Sequence, residues 1–275
     1  MKRNTRLFGL LSLPLTWLIG IYIGSLTLLI ITAFWTTDPF TSKVKPGFTL
    51  RNFEQIFANP AYLSTALRTL AIALVVTAVC IAVAIPLGIF ISRVASERWR
   101  PLLIAGITLP LWAGYLVKVL AMRVTYNDQG LVNWLLSPLG ISGPGFSEVT
   151  VVLTLVYLWF PYMAIPVATA IAQIPDNLLD ASADLGATAR QTIMRVIVPQ
   201  TLPAIAAGSI FTFSLSLGDY IAAKFVGGAT QMVGSVIASN INLNPPLAAA
   251  FAVFPIVFVI VYLMLVRRTG ALERM

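Results

Sequence analysis

Long apolar runs separated by short polar segments dominate the chain. Six windows, each of about 17 to 28 mainly apolar residues, are long enough to cross a bilayer as a helix. They run from Leu7 to Phe34, Thr69 to Ile91, Pro101 to Val117, Val149 to Ala172, Val198 to Leu217 and Pro245 to Val266. The third is the shortest, ending near Val117 or extending past Lys118. Backbone groups at bilayer depth find no water, so each segment must bond to itself as a helix rather than lie as an open strand. The expected fold is all-α: a polytopic membrane protein of six transmembrane helices, with residues 1–275 read as one transmembrane domain. Met1, Lys2 and Arg3 look like the start of a signal peptide, but the apolar stretch behind them is too long, and an uncleaved anchor is expected.

The segments between spans predict little independent structure. An amphipathic pattern near Leu50 to Phe57 predicts a short helix within Asp38–Leu67. A second short helix is expected near Leu131 to Leu136, inside a stretch rich in Gly, Asn and Pro. Neither segment is long enough to be a domain of its own.

Composition fits a chain dissolved in lipid. Of 275 residues, 58% are hydrophobic and 10% charged, and the mean hydropathy is +0.89. A water-facing surface needs roughly a quarter of the residues charged. The net charge of +8 is therefore assigned to basic residues beside the spans, not to nucleic-acid binding. The one cysteine, Cys80, lies in an apolar run, so no intrachain disulfide can form. There is no histidine, which removes His-based acid–base chemistry, Ser-His-Asp triads and most zinc sites. No catalytic residue and no metal ligand set is assigned.

Lys and Arg give the orientation. With the N-terminus inside, the inner segments hold Lys2, Arg3, Arg6, Arg93, Arg98, Arg100, Arg190, Arg195, Arg267, Arg268 and Arg274; the outer ones hold Lys43, Lys45, Arg51, Arg68, Lys118, Arg123 and Lys224. Eleven against seven favours both termini in the cytoplasm.

The most informative polar segment is Ile174 to Pro203, between spans four and five. Asp176 is placed as a helix N-cap with the helix starting at Asn177. Leu178, Ala181, Ser182 and Leu185 fall on one face, and Asn177, Asp180 and Asp184 on another. Gly186 is positioned to end the helix in the left-handed conformation. Thr188 and Gln191 have capping-box spacing, which starts a second helix, and Pro199 disrupts or kinks the segment that re-enters the membrane. Two short helices about a glycine bend make a compact protrusion that a partner's backbone can approach closely. An amphipathic connector lying on the lipid surface fits the same pattern.

Here the residues resemble a known family. Asp180-Ala181-Ser182, three residues, Gly186, nine residues and Val196-Ile197-Val198-Pro199 look like the EAA loop of binding-protein-dependent ABC importer permeases. Its pattern is Glu-Ala-Ala, three residues, Gly, nine residues, Ile-x-Leu-Pro. Asp replaces Glu, Ser the second Ala, and Val the Ile and Leu. FTLRNFEQIF at Phe48–Phe57, LPLWAGYLVKVLAM at Leu109–Met122, NDQGLVNWLL at Asn127–Leu136 and SLSLGDYIAAKFVGG at Ser214–Gly228 extend the resemblance to the spermidine/putrescine permease branch.

The resemblance implies a permease of the bacterial inner membrane paired with a second permease. Two copies of a cytoplasmic ABC ATPase would sit below and an extracytoplasmic solute-binding protein above. Residues 176–199 would form the cytoplasmic coupling loop, with Asp180, Ala181, Ser182, Asp184, Gly186 and Pro199 meeting the ATPase. This chain would bind no cofactor, ATP and Mg being held by the ATPase; accordingly it contains no G-x-x-x-x-G-K-[ST] run. The implied solute is small and organic, a polyamine first, with an amino-acid derivative such as an opine as another reading. Asp219, followed by Tyr220, stands where the family often has an acid. Together with Trp112, Tyr115, Trp159 and Tyr162 it is a candidate for the path of a cation, which carboxylates and ring faces attract. Lys224 is the competing partner for Asp219, and interfacial placement competes for the rings. On hydropathy alone an ion-coupled secondary transporter acting without an ATPase is the alternative, but the spans carry few ionisable groups for it. A membrane enzyme would need a clustered acid, nucleophile or ligand set, and the sequence has none.

Overall fold

The computed structural model describes residues 11–268 except 13, 39, 40 and 42. The start of the first expected span and the terminal basic residues Lys2, Arg3, Arg6 and Arg274 lie outside the described residues. Among the described residues, five helices are long and apolar enough to cross a membrane: α1 (Pro14–Thr32), α3 (Pro60–Val94), α7 (Glu148–Ala172), α9 (Ala189–Leu217) and α12 (Pro245–Arg268). A bent pair, α4 (Arg100–Trp112) and α5 (Tyr115–Tyr126), supplies a sixth if its two halves are one span. Shorter helices fill the connections: α2 (Arg51–Ala58), α6 (Leu131–Leu136), α8 (Asp176–Asp184), α10 (Ile221–Val226) and α11 (Val233–Asn240).

Several expectations need correction. The third span is not continuous: it breaks at Ala113 and Gly114, and the helices on either side diverge by 101°. Pro110 inside α4 and extended backbone at Ala113 give the local cause. The second span begins earlier than Thr69, at Pro60. The second helix of the loop after span four is not separate, because it runs through a π-helical turn, Ile193–Ile197, into span five. Pro199, with no amide hydrogen to donate, comes two residues after that turn, and the helix passes through it unbroken. A two-residue antiparallel pair, Thr36–Thr37 with Val44–Lys45, stands in a chain read as all-α. The short helices α2 and α6 form where the polar pattern placed them.

The contacts divide the chain into two compact units, residues 1–64 with 236–254 and residues 65–235 with 255–275. In the first, Asn52 on α2 is buried and its amide donates to the carbonyls of Ala33 (2.8 Å) and Trp35 (2.9 Å). This satisfies carbonyls that the end of α1 leaves open. Phe34 stacks on Phe48 with ring centres 5.2 Å apart, and Thr37 donates to Asn244. Along α1, Trp17 and Tyr22 are among many exposed apolar side chains, a surface suited to lipid rather than water.

The second unit is built on α3, α7 and α9. Val76, Cys80 and Ala84 from α3 and Leu155, Leu158, Val167 and Ile171 from α7 are buried in one core, joined by Ile197 and Ile205 of α9. Small residues let these helices approach, as expected where lipid removes most of the hydrophobic drive. A Cβ added at Gly208 would lie 2.8 Å from Met163 Sδ and 3.0 Å from Met163 Cα. Hydroxyls inside the spans bond back to their own helix: Thr77 to Ala73 O, Thr201 to Ile197 O and Ser216 to Thr212 O. These bonds satisfy those hydroxyls without water, whereas Thr154 Oγ1 and Trp159 Nε1 on α7 are buried with no hydrogen-bond partner among the described residues.

Candidate functional site

Two constructions in the second unit carry the chemistry singled out in the sequence. The first is the bend between α8 and α9. Gly186 has φ +73°, and the helix closes around it with two reverse bonds, Gly186 N–H to Ala183 O (2.8 Å) and Ala187 N–H to Ser182 O (3.1 Å). These satisfy carbonyls at the end of α8 while glycine occupies the left-handed position at little cost. Thr188 then caps α9: its hydroxyl accepts from the Gln191 amide, and the Gln191 side chain accepts from the Thr188 amide (2.8 Å). Ser182 and Thr192 join the two arms through their hydroxyls at 2.9 Å.

The environment separates the residues of α8. Ser182 is buried and Leu179 packs on the core, but Leu178 is exposed and Leu185, at the tip, is 88% exposed. Ala181, Asp180 and Asp184 are exposed as well. Of the four residues placed on one face, Ser182 alone turns to the body, and Leu178, Ala181 and Leu185 face outward, where a partner can approach; Ile174 and Leu179 fill the inner side. Asp176 is the first helical residue rather than the N-cap and makes no capping bond; its carboxylate instead meets Arg93 at 2.5 Å. A hollow of about 320 Å³ beside the bend is lined by Ser182, Leu185, Gly186, Ala187, Gln191 and Arg195.

The second construction is a cavity of about 310 Å³ beside the end of α9, lined by Tyr115, Trp159, Ser214, Leu215, Gly218, Asp219, Tyr220 and Ile221. Asp219 is buried. The Tyr115 hydroxyl donates to one of its oxygens and the Ala222 amide to the other, the latter at 2.8 Å. Asp219 lies two residues beyond the end of span five. Burial pushes its carboxyl above the usual carboxylate range, and the bonds from Tyr115 and the backbone pull the other way. Lys224 is exposed and forms no ion pair with it among the described residues.

From this cavity a row of rings continues along the helices. Tyr115 stacks on Trp159 (5.9 Å), Trp159 meets Tyr162 at a tilt (6.0 Å), and Tyr162 stacks on Phe211 (6.2 Å). The structure thus brings together Tyr115, Trp159, Tyr162, Asp219 and Tyr220. Trp112, before the break, is 90% exposed and does not line the cavity. Phe211 was missed by sequence reasoning; its i−3 spacing from Ser214 within span five was the available signal. A carboxylate flanked by π-faces is a setting for an organic cation, and the continuous row offers more than one such face.

Comparison with known proteins adds to this geometry. Residues 80–270 match the family model described as "Binding-protein-dependent transport system inner membrane component". The chain is 38% identical over 284 residues to the inner membrane ABC transporter permease protein YdcU of Escherichia coli (strain K12), covering 97% of this chain and 90% of that protein. It is 31% identical over 245 residues to the spermidine/putrescine transport system permease protein PotB of Haemophilus influenzae, covering 86% of this chain and 85% of that one. Among solved structures, a chain of a bacterial alginate ABC transporter in complex with alginate pentasaccharide-bound periplasmic protein aligns with a TM-score of 0.76 at 18% identity, covering 98% of this chain and 95% of that chain. This last likeness is one of fold.

Proposed function

This chain belongs to the binding-protein-dependent transport system inner membrane component family, as an ABC importer permease, and from that premise we propose that it forms, with a second permease, an alternating-access path for a polyamine. The carrying observation is the buried carboxylate of Asp219 at the head of a row of rings. The 31% identity to a spermidine/putrescine permease supports the same solute class. A polyammonium ion would exchange solvation for ring faces and the carboxylate as it passes.

On this reading both termini and the α8–α9 bend face the cytoplasm. The outward side of the bend, with Leu178, Ala181, Leu185, Asp180 and Asp184, docks on an ATPase subunit. Ser182, Gly186 and Pro199 hold its shape from within. Two ATPase copies supply ATP and Mg, and a solute-binding protein delivers the solute outside. ATPase closure moves the bend, and the spans attached to it reorient.

The test is uptake of radiolabelled spermidine and putrescine by proteoliposomes containing this permease with its co-purifying ATPase and binding protein. Polyamine uptake should require ATP and persist when ion gradients are collapsed. Uptake that survives without ATP but stops with an ionophore would establish the ion-coupled alternative instead. ATP-dependent uptake of an opine with none of either polyamine would move the assignment to amino-acid derivatives.

A further inference from the structure

The bend between α8 and α9 is tied to the body of the protein at a second place, and the tie is made from Ser92 and Arg93, which lie outside the coupling loop. At the end of α3, Ser92 and Arg93 reach across to the end of α7. The Ser92 hydroxyl donates to Ala168 O at 3.0 Å. One terminal nitrogen of Arg93 donates to Ile171 O at 2.8 Å and also to Ile174 O, while the other meets Asp176 at 2.5 Å. Four successive acceptors, spread over the last turn of α7, the connecting loop and the first residue of α8, are therefore held from a single pair of neighbouring residues. Gly88 permits the approach: a Cβ there would lie 2.9 Å from Ile171 Cδ1 and 3.2 Å from Ala168 Cα.

The Arg93 side chain is 19% exposed, whereas that of Asp176 is 84% exposed. The guanidinium is thus drawn in against the helix end and its carboxylate partner stays at the rim. Its planar fork suits this, since it can point donors at a carboxylate and at carbonyls together, as lysine cannot. A positive charge at the carboxyl end of α7 also opposes the helix dipole. Beside the clasp is a cavity of about 760 Å³, bordered by Arg93, Arg100, Ile104, Ile165, Thr169 and Gln173. On that side these hydrogen bonds add to the packing of Ile171 and Ile174 in fixing the direction in which the chain leaves α7.

We propose that Arg93 is a positioning residue that locks the start of α8 to the ends of both α3 and α7, so that a displacement of the bend is delivered to two spans together. This rests on the reading of the bend as the ATPase-facing element. Without the clasp the start of α8 would keep only the packing of Ile174 and Leu179, and part of a force on its tip would be spent in the loop.

The experiment uses the complete transporter in proteoliposomes and measures spermidine taken up per ATP hydrolysed, at matched assembly with the ATPase. Arg93→Gln should keep ATP hydrolysis and lower that ratio by about tenfold or more. Arg93→Lys should rescue it only in part, and the charge-swapped pair Arg93→Glu with Asp176→Arg should not rescue it, since the carbonyls of Ile171 and Ile174 then lose their donor. A ratio unchanged in Arg93→Gln, or restored by the swap, overturns the clasp. If Arg93→Gln does not assemble, Asp176→Asn at the exposed rim is read in its place: a lowered ratio supports the proposal and an unchanged one overturns it. Failure of the broader reading looks different, because wild-type protein would then show no ATP-dependent uptake.

Discussion

Gly186 offers the sharpest test of the bend because its cost can be separated into parts. Its φ of +73° lies in the left-handed region, and a Cβ built there meets nothing within 4 Å. A substitution is therefore penalised by its own backbone and not by its neighbours. For an L-residue that penalty is about 1–2 kcal/mol, with asparagine partly excused because its short side chain bonds locally. Valine is worse, since branching at Cβ makes a positive φ a genuine outlier. A penalty of about 1–2 kcal/mol changes the ratio of closed to open bend by roughly 5- to 30-fold. Opening gives up the bonds from the Gly186 and Ala187 amides and moves Leu185 at the exposed tip.

Uptake at equal membrane abundance should then fall in the order Gly186, Gly186→Asn, Gly186→Ala, Gly186→Val, with the valine protein inserted but inactive. Membrane abundance is read by immunoblot and uptake with labelled polyamine. Wild-type transport by Gly186→Val would refute the reasoning. So would an asparagine variant as impaired as the valine one, because the defect would then come from something other than the backbone angle.

Gly208→Val should act at an earlier stage. Its added atoms would meet Met163 Cα at 3.0 Å and Tyr162 O at 3.2 Å, backbone that cannot rotate away, so α7 and α9 must separate; detergent-solubilised protein should lose its monodisperse peak in fluorescence-detected gel filtration. Asp219→Asn should leave abundance unchanged and reduce polyamine uptake, and an unchanged rate and solute range would remove Asp219 from the path.

What was legible in the chain was whatever depends on near neighbours. The glycine bend and the Thr188–Gln191 cap form as spaced because each requirement, a positive φ or an amide in reach, is met within a few residues. The apolar windows at Val149 and Pro245 became α7 and α12 with ends shifted by a residue or two. The break at Ala113 and Gly114 was hidden because both of its arms are apolar, and a hydropathy window averages across a corner. That corner is why Trp112 parts from Tyr115, although the two are only three residues apart. Which residues of α8 turn inward, Ser182 and Leu179, was also out of reach. A nine-residue helix turns whichever side its neighbours fill, and here Leu179 takes the inner side. The clasp from Ser92 and Arg93 spans more than 70 positions, beyond any local pattern.

The two sites share helices, and this makes their separation useful. At 1.5 Å per residue, the 29 residues of α9 extend about 44 Å, more than the roughly 30 Å of a bilayer's hydrocarbon core. Thr188 caps one end, and the residues just past the other end, Gly218 to Tyr220, line the ring-bearing cavity. No break interrupts the helix between them; the π-helical turn lies near the bend. The neighbouring helix α7 contributes Trp159 to the cavity and Ile171 to the clasp, and Gly208 seats it against α9 without a gap. In the proposed cycle, a push on the bend therefore does not have to pass through loops to reach Asp219. It moves the inner ends of two close-packed rods, and the row of rings moves with them. A flexible insertion placed in α9 between Gln200 and Ala207 should for that reason abolish transport while leaving both the bend and the cavity chemically intact, and transport that tolerated it would show that α9 is not the carrier of the motion.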